Sequence, residues 1–122
     1  MPQEYFLELY RARVSPADRP WETGIPSKDG RTLLFRVERA WSGPAGIYLE
    51  HWSLRKNLTE EIFTSEPRQI RVRGMQSISE YTDEVTAPIE VGPGTYLLVF
   101  VVEGLFMGSV EVEVYSAGDA AA

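Results

Sequence analysis

The feature that most restricts the fold of this chain is a run of seven apolar residues, Tyr96 to Val102, rich in β-branched and aromatic side chains. It begins after Gly92-Pro93-Gly94-Thr95 and ends at Glu103-Gly104. A helix that crosses a bilayer needs about 20 apolar residues, so the run is far too short to span one. Glycine and proline at its borders punctuate a buried strand. The strand would carry two apolar rows: Tyr96, Leu98, Phe100 and Val102 on one face, and Leu97, Val99 and Val101 on the other. A strand in a sheet with one wet face needs only one such row. The second row is expected to be covered by another segment, with the irregular N-terminal half as the lid, or by another subunit.

On either side of this run the apolar period is two. Val110, Val112 and Val114 alternate with Ser109, Glu111, Glu113 and Tyr115, and Leu33, Phe35 and Val37 alternate with Thr32, Arg36 and Glu38. Ile70 and Val72 alternate with Gln69, Arg71 and Arg73. Such alternation gives a strand one dry and one wet face. Further strands are expected at Tyr5 to Val14, Ile47 to Leu54, Glu61 to Thr64, Ile78 to Glu84 and Pro88 to Val91, each bounded by Gly, Pro, Ser or Asn. No segment of helical length repeats apolar residues at three and four. The one helix-like start, Asn57-Leu58-Thr59-Glu60-Glu61, runs into Ile62-Phe63-Thr64 and has room for a single turn. The spacing predicts an all-β chain of about eight strands. A length of 122 residues with 43% hydrophobic content suits one core, and the prolines and glycines mark no linker. One domain over 1–122 is therefore expected.

The stretch Pro88-Ile89-Glu90-Val91-Gly92-Pro93-Gly94-Thr95-Tyr96 leads into the apolar strand, a loop, and Val110-Glu111-Val112-Glu113-Val114. It resembles the closing hairpin of immunoglobulin-like and fibronectin type III-like modules. The resemblance covers about the last quarter of the chain and implies a two-sheet antiparallel β-sandwich, immunoglobulin-like or jelly-roll. It also implies that the hydroxyl of Tyr96 ties down the corner between the sheets. A fold of this kind hosts many activities, so no function follows from it.

Charge and composition narrow the partners. The formal net charge of −6 opposes the counterion release that drives nucleic-acid binding. With no cysteine there is neither a disulfide framework nor a thiolate metal site. Met1 to Tyr10 carries Glu4 and Glu8 among its apolar residues and lacks a basic start followed by an apolar block. A cleaved signal is not expected there, and a cytoplasmic or virion-associated location is favoured.

Few residues offer chemistry. The one histidine, His51, would have to serve any triad with Ser42 or Ser53, yet neither serine lies in a G-x-S-x-G elbow. Glu111 and Glu113 share a strand face, and Glu60-Glu61 and Asp83-Glu84 are adjacent pairs, which reads as solvation of a wet surface. Asp18 and Asp29 stand alone in turns, outside any calcium-loop pattern. Asn57-Leu58-Thr59 fits the glycosylation pattern, which matters only on a secretory route. No phosphate-binding glycine motif is present. No catalytic residue, metal or cofactor is therefore assigned, and the chain is not expected to be an enzyme.

Surfaces remain. Leu105, Phe106 and Met107 stand between Gly104 and Gly108 in an expected hairpin connection, where polar residues are usual. They either plug the end of the fold or meet a partner. Leu97, Val99 and Val101, or the opposite row, are the expected seam of an oligomer. These features predict a non-enzymatic module working through protein contacts, as a homo-oligomer or part of a larger assembly, such as a virion decoration or coat component or an accessory adaptor. The alternative is a carbohydrate-binding module in which Trp21, Trp41 and Trp52 form a stacking platform.

Overall fold

The computed structural model of the chain describes residues 7–117. Within them lie ten strands and no helix: β1 (Glu8–Pro16), β2 (Ile25–Lys28), β3 (Arg31–Thr32), β4 (Phe35–Ser42), β5 (Gly46–Arg55), β6 (Glu61–Thr64), β7 (Arg68–Val72), β8 (Ser79–Val85), β9 (Gly94–Val102) and β10 (Leu105–Ser116). The smaller sheet has the order β1-β4-β8, and the larger has the order β3-β2-β10-β9-β5-β6 with β7 also paired to β5. Every ladder is antiparallel except that of β2 with β10, which is parallel. No helix among the described residues is long and apolar enough to cross a membrane.

The central apolar run becomes β9, held between β10 and β5. Its row of Leu98, Phe100 and Val102 faces inward, where Trp52, Leu54, Val112 and Val114 of the larger sheet meet Phe35, Val37 and Trp41 of the smaller one. The rings of Trp41 and Phe100 join the two sheets edge to face, with centroids 6.2 Å apart. The other row points outward. Val99 sits in register between Ser53 of β5 and Ser109 of β10 and is buried, while Leu97 and Val101 are half-buried.

Two tyrosines fasten the starts of neighbouring strands. The Tyr96 hydroxyl donates to the Gly92 carbonyl at 2.7 Å, and the Tyr48 hydroxyl donates to the Pro44 carbonyl at 2.8 Å. Both bonds reach back four residues across a Gly-Pro turn. Gly46 leaves room for the second, since a side chain there would put a carbon 3.2 Å from the Tyr48 ring and make the ring shift.

Several strand expectations shift. Leu33 and Leu34 are exposed, and the strand expected at Leu33 begins at Phe35 and runs on through Arg39 and Trp41. Pro88 to Val91 makes only one bridge, Glu90 to Arg31, with the Ile89 N–H donating to the Thr32 hydroxyl at 2.9 Å. Pro88 has no N–H to give a ladder, which weakens a strand there. Strands β2 and β3 were not expected. They form a hairpin whose two-residue turn, Asp29-Gly30, has φ of 56° and 77°, as the right-handed twist of paired strands prefers. The connection between β9 and β10 is likewise only Glu103-Gly104, with φ of 52° and 79°, so Leu105 to Met107 belong to a strand instead of a loop. The expected beginning of the first strand, at Tyr5, lies outside the described residues.

Candidate functional site

Titratable side chains gather in the interior. Arg39 of β4 and Glu50 of β5 are both buried, and the guanidinium donates to both carboxylate oxygens, with Nε to Oε2 at 2.8 Å. The Trp41 indole N–H adds a third bond to Glu50 Oε2 at 2.9 Å. Asp83 of β8 extends the network: one oxygen takes Arg39 at 3.3 Å and Arg68 of β7, and the other takes the Trp52 indole N–H at 2.8 Å. Burial alone would raise the Asp83 pKa. The charge of Arg39, the Trp52 bond and the charge of Arg68 outweigh it and leave the carboxyl below its ordinary value. Every oxygen of both carboxylates is engaged, so the network ties four strands across the two sheets and presents no free acid or base.

Tyr81 of β8 fastens the same side of the molecule. Its hydroxyl accepts the Arg71 N–H at 2.6 Å and donates to the Arg71 carbonyl at 3.0 Å. The outer edge of β7 is thereby closed at that residue. Just before it, Ser65 to Pro67 interrupt the edge between β6 and β7, and the Ser65 hydroxyl accepts the Trp52 N–H at 2.9 Å.

The outward faces of the two sheets differ sharply. On the smaller sheet, side chains of opposite charge meet: Arg13 with Glu38 and Arg36 with Glu84 in register, and Arg11 with Glu80 across the small Ala40 between them. On the larger sheet, Ile47 and Leu49 of β5 point outward beside His51, which pairs with Val101 of β9, which pairs in turn with Phe106 of β10. Ile47 is 58% exposed, Leu49 49%, Leu105 52% and Phe106 60%. The Glu103 turn frames this patch, its N–H donating to the Leu49 carbonyl at 2.9 Å while its carboxylate accepts the Leu49 N–H at 2.8 Å.

The structure therefore brings Leu97, Val99, Val101 and Phe106 onto one face, while Leu105, opposite Val102, has the parity of the inward row and is exposed at the hairpin end. Met107 departs from them: as the residue after Phe106 it points inward against the core, and a bulge there leaves it unpaired while Gly108 takes the place opposite Phe100. With Met107 facing in and Phe106 facing out, Phe106 is not a plug. Ile47 and Leu49 were missed as members of this surface, although their outward parity on β5 is set by the buried Trp52 and Leu54. The three tryptophans are not a platform: Trp41 and Trp52 are core residues at 0% and 2% exposure, and Trp21 alone is open, at 73%, in the turn before β2. Their indoles went inward because each N–H finds a carboxylate there. His51 is half-buried on the outward face, whereas Ser53 is buried and accepts from Arg55 Nε at 2.7 Å. Glu111 and Glu113 are exposed on β10, and no group of three or more metal-ligating side chains occurs among the described residues.

No protein-family model matches the chain, and no curated protein matches it. Solved structures do. A β-glucosidase from Listeria innocua in complex with glucose is similar with a TM-score of 0.53 and 15% identity over 91% of this chain. The same enzyme in complex with isofagomine gives 0.55 and 13% over 93%. The alkylpurine DNA glycosylase AlkC of Pseudomonas fluorescens, bound to DNA containing an abasic site analog, gives 0.52 and 13% over 89%. The chain spans 16% of each glucosidase chain and 30% of the glycosylase chain. At such identities the likeness is one of fold alone.

Proposed function

We propose that this chain is a non-enzymatic contact module that binds another protein through the outward face of its larger sheet. The contrast between its two outward faces carries this reading. One is a lattice of paired charges, which water solvates well. The other leaves Ile47, Leu49 and Phe106 open to solvent on one face, and apolar side chains exposed on one face mark interaction sites. The Tyr96 bond to Gly92 supports an immunoglobulin-like arrangement of the two sheets over a jelly roll. Recurrence of the fold as a small share of much longer chains supports an accessory role.

A photo-crosslinking amino acid placed at position 106, with the charged-face position 82 as control, tests the reading. Adducts are expected at 106 and not at 82, and equal yields at both would overturn it. Light scattering of the purified chain over a wide concentration range then separates the two forms of contact. A rising mass that Phe106→Ser abolishes means self-association, and a constant monomer assigns the face to a different protein.

A further inference from the structure

We infer that the partner seated on this face presents acidic side chains beside an apolar segment, with its carboxylates over Arg71 and Arg73. The inference rests on the outward face of the larger sheet being the contact surface. Arg71 is in register with Ile47, and Gln69 with Leu49, so the basic residue borders the apolar patch on the same face. Arg73 lies two residues further along and is exposed, as Arg71 is. Of the 12 basic residues, Arg11, Arg13, Arg19, Arg36, Arg39 and Arg68 each have an acidic partner. Lys28, Arg31, Arg55, Lys56, Arg71 and Arg73 have none among the described residues, and of these Arg71 is the one set in register beside Ile47, with Arg73 following it.

Two unpaired guanidiniums beside open apolar side chains are complementary to an acidic, apolar surface. A guanidinium meets a carboxylate through two parallel N–H bonds, and it gives up its hydration more readily than an ammonium does. The Tyr81 hydroxyl holds the backbone beneath Arg71 by both polar groups. That clamp fixes where the side chain starts and shuts the edge, so a partner lies on the face and cannot add as a strand there. Glu103 is the acidic group at the opposite border, and its carboxylate is occupied by the Leu49 N–H.

The experiment uses three labelled peptides of equal length in which valine alternates with aspartate, lysine or serine, followed by fluorescence anisotropy on the whole chain. The aspartate peptide is expected to bind about tenfold more tightly than the serine peptide, with the gap shrinking as salt screens it. Replacing both arginines (Arg71→Glu with Arg73→Glu) should reverse the preference toward lysine with an unchanged Tm, and Ile47→Ser with Leu49→Ser should weaken binding of all three. Equal binding of the aspartate and serine peptides, a preference that survives the charge reversal, or no binding of any peptide would each overturn the inference. Those outcomes leave the crosslinking contrast between positions 106 and 82 standing, whereas equal crosslinking would strike at the contact face itself.

Discussion

Arg39 of the smaller sheet and Glu50 of the larger one meet in the core with neither side chain exposed. Taking either charge out of water costs several kcal/mol, and only close geometry with further hydrogen bonds offsets it. Burial alone would lower the Arg39 pKa, and the Glu50 and Asp83 carboxylates more than reverse that. Glu50→Gln is therefore expected to destabilise the fold by about 3–5 kcal/mol, read from urea unfolding at constant m-value. Replacing both partners with apolar residues, Arg39→Met with Glu50→Leu, should recover part of this. It should fall short of wild type by about 1–3 kcal/mol because the Trp41 indole N–H loses its acceptor. A double variant as stable as wild type would show that relief of the buried charges offsets the lost indole bond.

Asp83 gives the network a pH limit. Its folded pKa lies below the ordinary value of 3.8, so it contributes stability that is complete above that value and is lost as pH falls through the folded one. Asp83→Asn should flatten this acid limb of the stability curve and lower stability at neutral pH. An acid limb of unchanged slope in the variant would assign it to other carboxylates.

The paired tyrosine corners predict a smaller effect. Tyr48→Phe and Tyr96→Phe each remove one hydroxyl bond, worth about 0.5–1.5 kcal/mol. The Tyr48 bond, being partly buried, should fall in the upper half of that range and the exposed Tyr96 bond in the lower. Thermal unfolding of the two variants checks the order.

Neighbouring residues at the β9–β10 hairpin should respond in opposite ways. Phe106→Ser is expected to change stability by no more than about 0.5 kcal/mol, as surface substitutions do. Met107→Ser should cost about 1–2 kcal/mol, since the side chain is half-buried against the core. A loss at Phe106 equal to that at Met107 would make the face structural.

Much of this was legible from the period-two pattern. Strands β5 to β7 and β9 fall where they were expected, as does β8 within a residue at each end; β1 runs two residues past its expected end, and β10 begins at Leu105, four residues before the alternation that marked it. The latter half of β4 was hidden because Arg39 stands in the apolar row with Phe35, Val37 and Trp41, and a charge there reads as the end of a strand. Glu50 stands in the same kind of row on β5, with Trp52 and Leu54. Two opposite charges, each in an otherwise apolar row, were the signal that they pair in the core. The β2–β3 hairpin was obscured by Pro26 and by its shortness, although Asp29-Gly30 is a strong turn dipeptide. The outward apolar face was half legible, since Leu97, Val101 and Phe106 carried it in sequence. Ile47 and Leu49 needed the register to fix which way β5 points. No pattern in the chain indicated the free state of Arg71 and Arg73, which depends on which acids lie within reach.

The hydroxyl of Tyr81 also bears on how copies of this chain behave when crowded. An open sheet edge is a template for the next molecule's strand, and repeated templating is the route by which soluble sheets become fibrils. Along this edge the donor and acceptor of Arg71 are already taken, and Pro67 in the break beside it has no N–H to offer. A strand arriving along this edge finds no partner at Arg71 and no donor at Pro67, so growth by strand addition stops at that stretch.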